Sequence, residues 1–92
     1  MAEESAGFRI TGVVQGVGFR WWTQRKGMEL GLRGSVANRS DGSVEVNVSG
    51  PLEVVAAFER ALARGPSGAR VRSVERIAST LPVPHQGFEI ER

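Results

Sequence analysis

Nine consecutive residues, Gly12-Val13-Val14-Gln15-Gly16-Val17-Gly18-Phe19-Arg20, combine the features of a site for a small anion. Glycines let successive backbone N–H groups converge, and the run joins a strand pattern to a helix pattern. The first turn of such a helix has unpaired donors and a positive dipole end. Amides aimed at one point form a nest for a phosphate-sized group. Arg20 stands one residue into the helix, where its planar guanidinium can grip two phosphate oxygens at once. Nucleotide cofactors are disfavoured. No Gly-Lys-Ser/Thr follows the run, and Trp21 occupies the place of the third glycine of a dinucleotide fingerprint.

The elements that must position these groups are read from periodicity. Phe8 to Val14 alternates with Phe8, Ile10 and Val14 on one face, a first strand. Phe19, Trp22, Thr23, Lys26 and Leu30 share a helical stripe, and Gly31-Leu32 forms a Schellman stop, so a helix is predicted over 19 to 30. Arg33 to Asn38 and Ser43 to Val48 are strands of a hairpin turned at Ser40-Asp41-Gly42. Gly50-Pro51 opens a second helix with proline at its first position and Glu53 in its first turn. Val54, Val55, Phe58, Ala61 and Leu62 form its buried stripe, and it ends at Gly65. A fourth strand spans Ala69 to Ala78, with Val71 and Val74 three apart and a bulge expected between them. Leu81-Pro82-Val83-Pro84-His85 is a connection, and Gly87 to Ile90 a short closing strand.

This order, βαββαβ with a tail, predicts an α+β sandwich of the ferredoxin-like kind, two helices over one face of an antiparallel sheet. A strand-helix-strand crossover leaves the first two strands parallel, so Val14 and Asn38 end on the same edge. Arg20 and Asn38 then face one crevice although they lie 18 residues apart. On spacing alone Asn38 reads first as a strand-end turn former. In the crevice its amide can also accept from a water and donate to an oxygen.

Composition narrows the field. With 92 residues the chain is read as one domain, 1–92, and 40% hydrophobic against 24% charged residues suffices for a modest core. The absence of cysteine excludes disulfides, thiolate zinc sites and a cysteine nucleophile. The single histidine, His85, excludes a histidine-rich metal site and reads as an exposed, inert loop residue. No apolar run approaches a membrane span, and Met1-Ala2-Glu3-Glu4-Ser5 is acidic where a signal peptide would be basic, so a cytoplasmic location without membrane attachment is expected. The isoelectric point near 10.4 overstates the charge. Eleven of the twelve basic residues are arginine, cysteine and tyrosine are absent, and the formal net charge is only +2. Residues 1–40 carry six basic and three acidic groups and residues 41–92 carry six and seven, a mild positive excess in the first half. That suits a small anion better than a polyphosphate track, and no nucleic acid is expected. The third strand, Ser43-Val44-Glu45-Val46-Asn47-Val48, has none of the stacking aromatics of an RNA-recognition domain. Trp22 is assigned to the core, Asp41 to the turn and Asn47 to an outward strand position. Trp21 and Met28 point away from the sheet as exposed apolar groups without assigned function.

Two ordered motifs carry a resemblance. Gly12-Val13-Val14-Gln15-Gly16-Val17-Gly18-Phe19-Arg20, followed by Gly34-Ser35-Val36-Ala37-Asn38-Arg39-Ser40-Asp41-Gly42-Ser43-Val44-Glu45, closely resembles the acylphosphatases, and the likeness runs from Gly7 to Ile90. The resemblance implies a ferredoxin-like fold and hydrolysis of the carboxyl-phosphate bond of a small acyl phosphate by direct water attack, with no metal or other cofactor. It implies that Arg20 binds the phosphate, that Asn38 positions the water, and that the amides of Gln15, Gly16, Val17, Gly18 and Phe19 complete the cradle. Inorganic phosphate would be both product and inhibitor, and a monomer is the default state. A non-catalytic phosphate-binding regulatory module is the competing reading, since domains of this kind also occur inside larger proteins.

Overall fold

The structure, a computed structural model, describes residues 2–92 and orders them as β1 (Glu3–Val13), α1 (Phe19–Glu29), β2 (Arg33–Asn38), β3 (Val44–Pro51), α2 (Leu52–Arg64), β4 (Arg70–Ile77) and β5 (Phe88–Glu91). The strands form one sheet in the order β4-β1-β3-β2-β5. Central β3 is antiparallel to both β1 and β2, so β1 and β2 run the same way, as the crossover requires. The valines of β3 alternate, and Val44, Val46 and Val48 are buried beneath the helices with Phe8, Ile10 and Val36 from the neighbouring strands. Val55, Phe58 and Leu62 of α2 close this core, the Phe58 ring lying 6.5 Å from Phe8 and 6.0 Å from Phe88.

The sheet is mixed rather than antiparallel, because β5 pairs in parallel with β2. The cause is the connection from β4. It crosses the face opposite the helices, where Asn47 donates to the carbonyls of Ser79 and Leu81, Ser35 to Pro82 and Arg33 to Pro84. Asn47 is therefore a strap anchor as well as an outward strand residue. The strap reaches the far edge beside Gly34, at the start of β2, and β5 can then only run alongside β2 toward Asn38. Phe88 fixes this placement: a Cβ on Gly27 of α1 or on Gly34 of β2 would collide with its ring. Both positions demand the smallest side chain so that helix, strand and ring can close up.

Other boundaries shift by a few residues. β1 starts at Glu3 because Glu3 to Ala6 pair with Val48 to Pro51, a nonlocal contact invisible in so polar a run. β3 continues to Pro51, which makes that proline the residue before α2 rather than its first. The β4 bulge is present: Thr11 faces Ser73 and Gly12 faces Val71, so Arg72 is the extra residue. α1 ends one residue earlier than expected, in a full Schellman pair with Leu32 N–H donating to Gly27 and Gly31 N–H to Met28. Trp22 is half-buried at the margin of the core, 5.5 Å from Phe19. Among the described residues no helix is long and apolar enough to cross a membrane.

Candidate active site

β1, β2 and β5 all run toward one end of the sheet, where a cavity of about 450 Å³ opens. Val14, Gly16, Gly18, Phe19 and Arg20 line one side, Asn38 lies at the base, and Trp21, Ile90 and Arg92 complete the wall. The structure thus brings Arg20 and Asn38 to one cavity from opposite ends of the α1 crossover.

The loop between β1 and α1 has the backbone signature of a nest. Gly16 and Gly18 have φ of 77° and 78°, while no residue other than glycine has positive φ among those described, so the sign of φ alternates from Gln15 to Gly18. A Cβ at either glycine would meet nothing within 4 Å, which leaves backbone conformation as the reason for glycine. None of the amides from Gln15 to Arg20 donates to another group among the described residues, and the first helical bond at this end is Trp22 N–H to Gly18 carbonyl, 2.9 Å. α1 has neither a side-chain cap nor an acidic residue in its first turn. Its positive dipole end is therefore left open to an anion.

Side-chain electrostatics reinforce the backbone. Arg20 enters no ion pair or side-chain hydrogen bond among the described residues, so its fork is uncommitted. No carboxylate or imidazole side chain lines the cavity, and Arg92 adds a second cation at its edge. Asn38 occupies the last position of β2 on the helix side, in register with Val44. Its Oδ1 is buried and accepts from none of the described protein donors. An unpartnered buried acceptor is unusual and costs about 1–3 kcal/mol, which marks the position as one kept for something other than packing.

Two contributions were not visible in the sequence. The Gln15 side chain donates from Nε2 to the carbonyls of Arg39 and Ser43, at 2.7 and 2.8 Å, and so ties the glycine loop to the β2–β3 hairpin. The hairpin is itself braced. Asp41 accepts from the Ser43 backbone and hydroxyl and pairs with Arg9, while Glu45 pairs with Arg39 and accepts from Ser79. The hydroxyl and amide of Ser43 hold the Asp41 carboxyl below its ordinary range, and the Arg39 guanidinium does the same for Glu45. The second contribution is Trp21, which is exposed as its helical position predicts and also lines the cavity. Met28 is exposed and away from the cavity, as expected.

Comparison with known proteins shows the family to which the chain belongs. Residues 6–90 match the family model Acylphosphatase. The chain is 42% identical over 90 residues to a Vibrio cholerae protein named acylphosphatase, covering 98% of this chain and 99% of that one. The crystal structure of acylphosphatase from Bacillus subtilis superposes with a TM-score of 0.87 at 31% identity, covering 99% of this chain and all of the other. A likeness also extends to T. kodakarensis HypF, with a TM-score of 0.77 and 35% identity over 95% of this chain but only 11% of that larger protein.

Proposed function

The chain belongs to the acylphosphatase family and is an acylphosphatase, and from that premise we propose that Arg20, Asn38 and the amides of Gln15 to Phe19 perform the hydrolysis. The phosphoryl oxygens of the acyl phosphate sit in the nest, bridged by the Arg20 guanidinium. A water held by the Asn38 amide attacks phosphorus in line. The new bond forms from the water oxygen, the bond from phosphorus to the carboxyl oxygen breaks, and its electron pair leaves on the carboxylate. A phosphoryl oxygen takes the water's proton, so the products are a carboxylate and inorganic phosphate. Carboxylates depart without prior protonation, which suits a cavity with no acid or base side chain near neutral pK. Catalysis is then positioning together with charge already in place.

The observation that carries this reading is the meeting of three things at one cavity: unpartnered amides with alternating φ, an uncommitted guanidinium, and a buried amide oxygen without a protein partner. A purely regulatory anion module would need only the first two. Residues 1–92 act in this reading as one cytoplasmic, monomeric catalytic domain that needs no metal, because Arg20 and the amides supply the positive charge. Benzoyl phosphate, followed by its ultraviolet absorbance in buffer containing EDTA, is expected to be hydrolysed, with inorganic phosphate inhibiting competitively. Asn38→Ala is expected to lower kcat by on the order of 10²-fold while leaving phosphate inhibition close to wild type. Because the substitution removes a buried acceptor that has no protein partner, it should not lower the melting temperature. Phosphate binding with no turnover by the wild type would instead establish the regulatory module.

A further inference from the structure

The cavity is larger than phosphoryl transfer requires. At about 30 Å³ per heavy atom, a generous figure taken from water, a phosphoryl group with its bridging oxygen and an attacking water occupy no more than about 180 Å³. More than half of the 450 Å³ remains. Trp21, Ile90 and Arg92 are in the lining of the same cavity, and the hydrolysis uses none of them. Trp21 is 59% exposed, yet its ring is not free to wander. The Arg25 guanidinium, one helical turn on, lies 4.8 Å from the ring centroid, a cation–π contact that favours one placement of the indole. Trp21 also lines a second groove of about 380 Å³, together with Val17, Arg25 and Pro66, so the indole contributes to two neighbouring depressions. Ile90 reaches the cavity because Phe88, seated between Gly27 and Gly34, sets the register of β5 on β2.

We propose that Trp21 and Ile90 form the acyl subsite of this enzyme, and that it favours acyl phosphates whose acyl group is a flat aromatic ring. This rests on the acylphosphatase reading above. A substrate with its phosphate in the nest leaves its acyl group in the rest of the cavity, whose lining includes an indole and an aliphatic side chain. A planar ring lies against both, whereas a methyl group leaves the indole uncovered. Arg25 acts through Trp21 and is a positioning residue.

The test compares kcat/KM for benzoyl phosphate and acetyl phosphate and reads the benzoyl-to-acetyl ratio, which cancels effects on the phosphoryl step. Trp21→Ala is expected to lower that ratio by about 2- to 12-fold, most of it through KM for benzoyl phosphate. Trp21→Phe, which restores a ring, should recover most of the loss, and Arg25→Gln should lower the ratio by less than Trp21→Ala. Met28→Ala, an exposed apolar truncation on the same helix but away from the cavity, should keep the wild-type ratio. Turnover of both substrates with the same ratio in wild type, Trp21→Ala and Trp21→Phe would overturn the subsite and leave the acylphosphatase reading intact. No turnover of either substrate by the wild type would remove both.

Discussion

At the scale of single residues the decisive feature is what has been left without a partner. Among the described residues, Arg20, the loop amides and Asn38 Oδ1 each lack a hydrogen-bond or ion-pair partner that an ordinary structural role would supply. Gln15 shows the opposite arrangement. Its Nε2 gives both of its hydrogens to carbonyls of the β2–β3 hairpin, which settles the orientation of the amide and pins the loop carrying the nest. Gln15→Ala is expected to lose about 1–2 kcal/mol of stability and to weaken phosphate inhibition several-fold. Gln15→Glu should be worse on both measures, since a carboxylate would face two carbonyl oxygens with nothing to donate. Thermal melting and phosphate inhibition of the two variants check this order, and a glutamate variant better than alanine would contradict it. Arg20 and the glycines were legible because spacing alone places them at a helix N-terminus. The Gln15 side chain was not, since its partners lie 24 and 28 residues away and a glutamine amide has no intrinsic preference among carbonyls. The exposure of Trp21 was legible, because a helical wheel shows that it leaves the sheet, but the wheel does not show that a cavity opens beside it.

At the scale of elements, β5 and the β2–β3 hairpin hold the site from two sides. Phe88 locks β5 by occupying the space above Gly27 and Gly34. Gly27→Ala improves intrinsic helix propensity yet is expected to destabilise by about 1–3 kcal/mol, because the added methyl overlaps the ring. Combining it with Phe88→Leu should recover part of that loss, measured by denaturant unfolding; an additive double variant would refute the clamp. The hairpin makes stability depend on acid. Asp41 and Glu45 have folded-state pKa values depressed by Ser43 and by Arg39, so the unfolded chain binds protons first as pH falls. Their contribution is complete above the ordinary carboxylate range near about 4 and is lost as pH drops through the depressed values. The melting temperature should therefore fall on acidification below about pH 5, and the fall should be shallower in Glu45→Gln, which removes one of the two groups. Both helices, the hairpin and the bulge of β4 could be read from periodicity and turn residues. The parallel placement of β5 could not, because Phe88-Glu89-Ile90-Glu91 says nothing about which edge it joins. That choice is made by a strap whose anchors, Ser35, Asn47 and Arg33, are 32 to 51 residues from the carbonyls they hold.

At the scale of the whole molecule, strand direction concentrates function at one end. Three strands running the same way deliver the glycine loop, Asn38 and Ile90 to a single rim, while α1 points its uncapped N-terminus into it. The small net charge of +2 is used locally: two arginines line the cavity, no carboxylate side chain does, and the acidic groups of the hairpin are paired outside it. In the proposed mechanism the site performs chemistry by fixed charge, so its greatest sensitivity is expected at the group that carries the charge. The most direct measurement is kcat/KM for benzoyl phosphate in Arg20→Ala, on protein shown by melting to be folded. The account predicts a loss on the order of 10²- to 10³-fold together with the loss of competitive inhibition by inorganic phosphate. Turnover within a few-fold of wild type in that folded variant would contradict it.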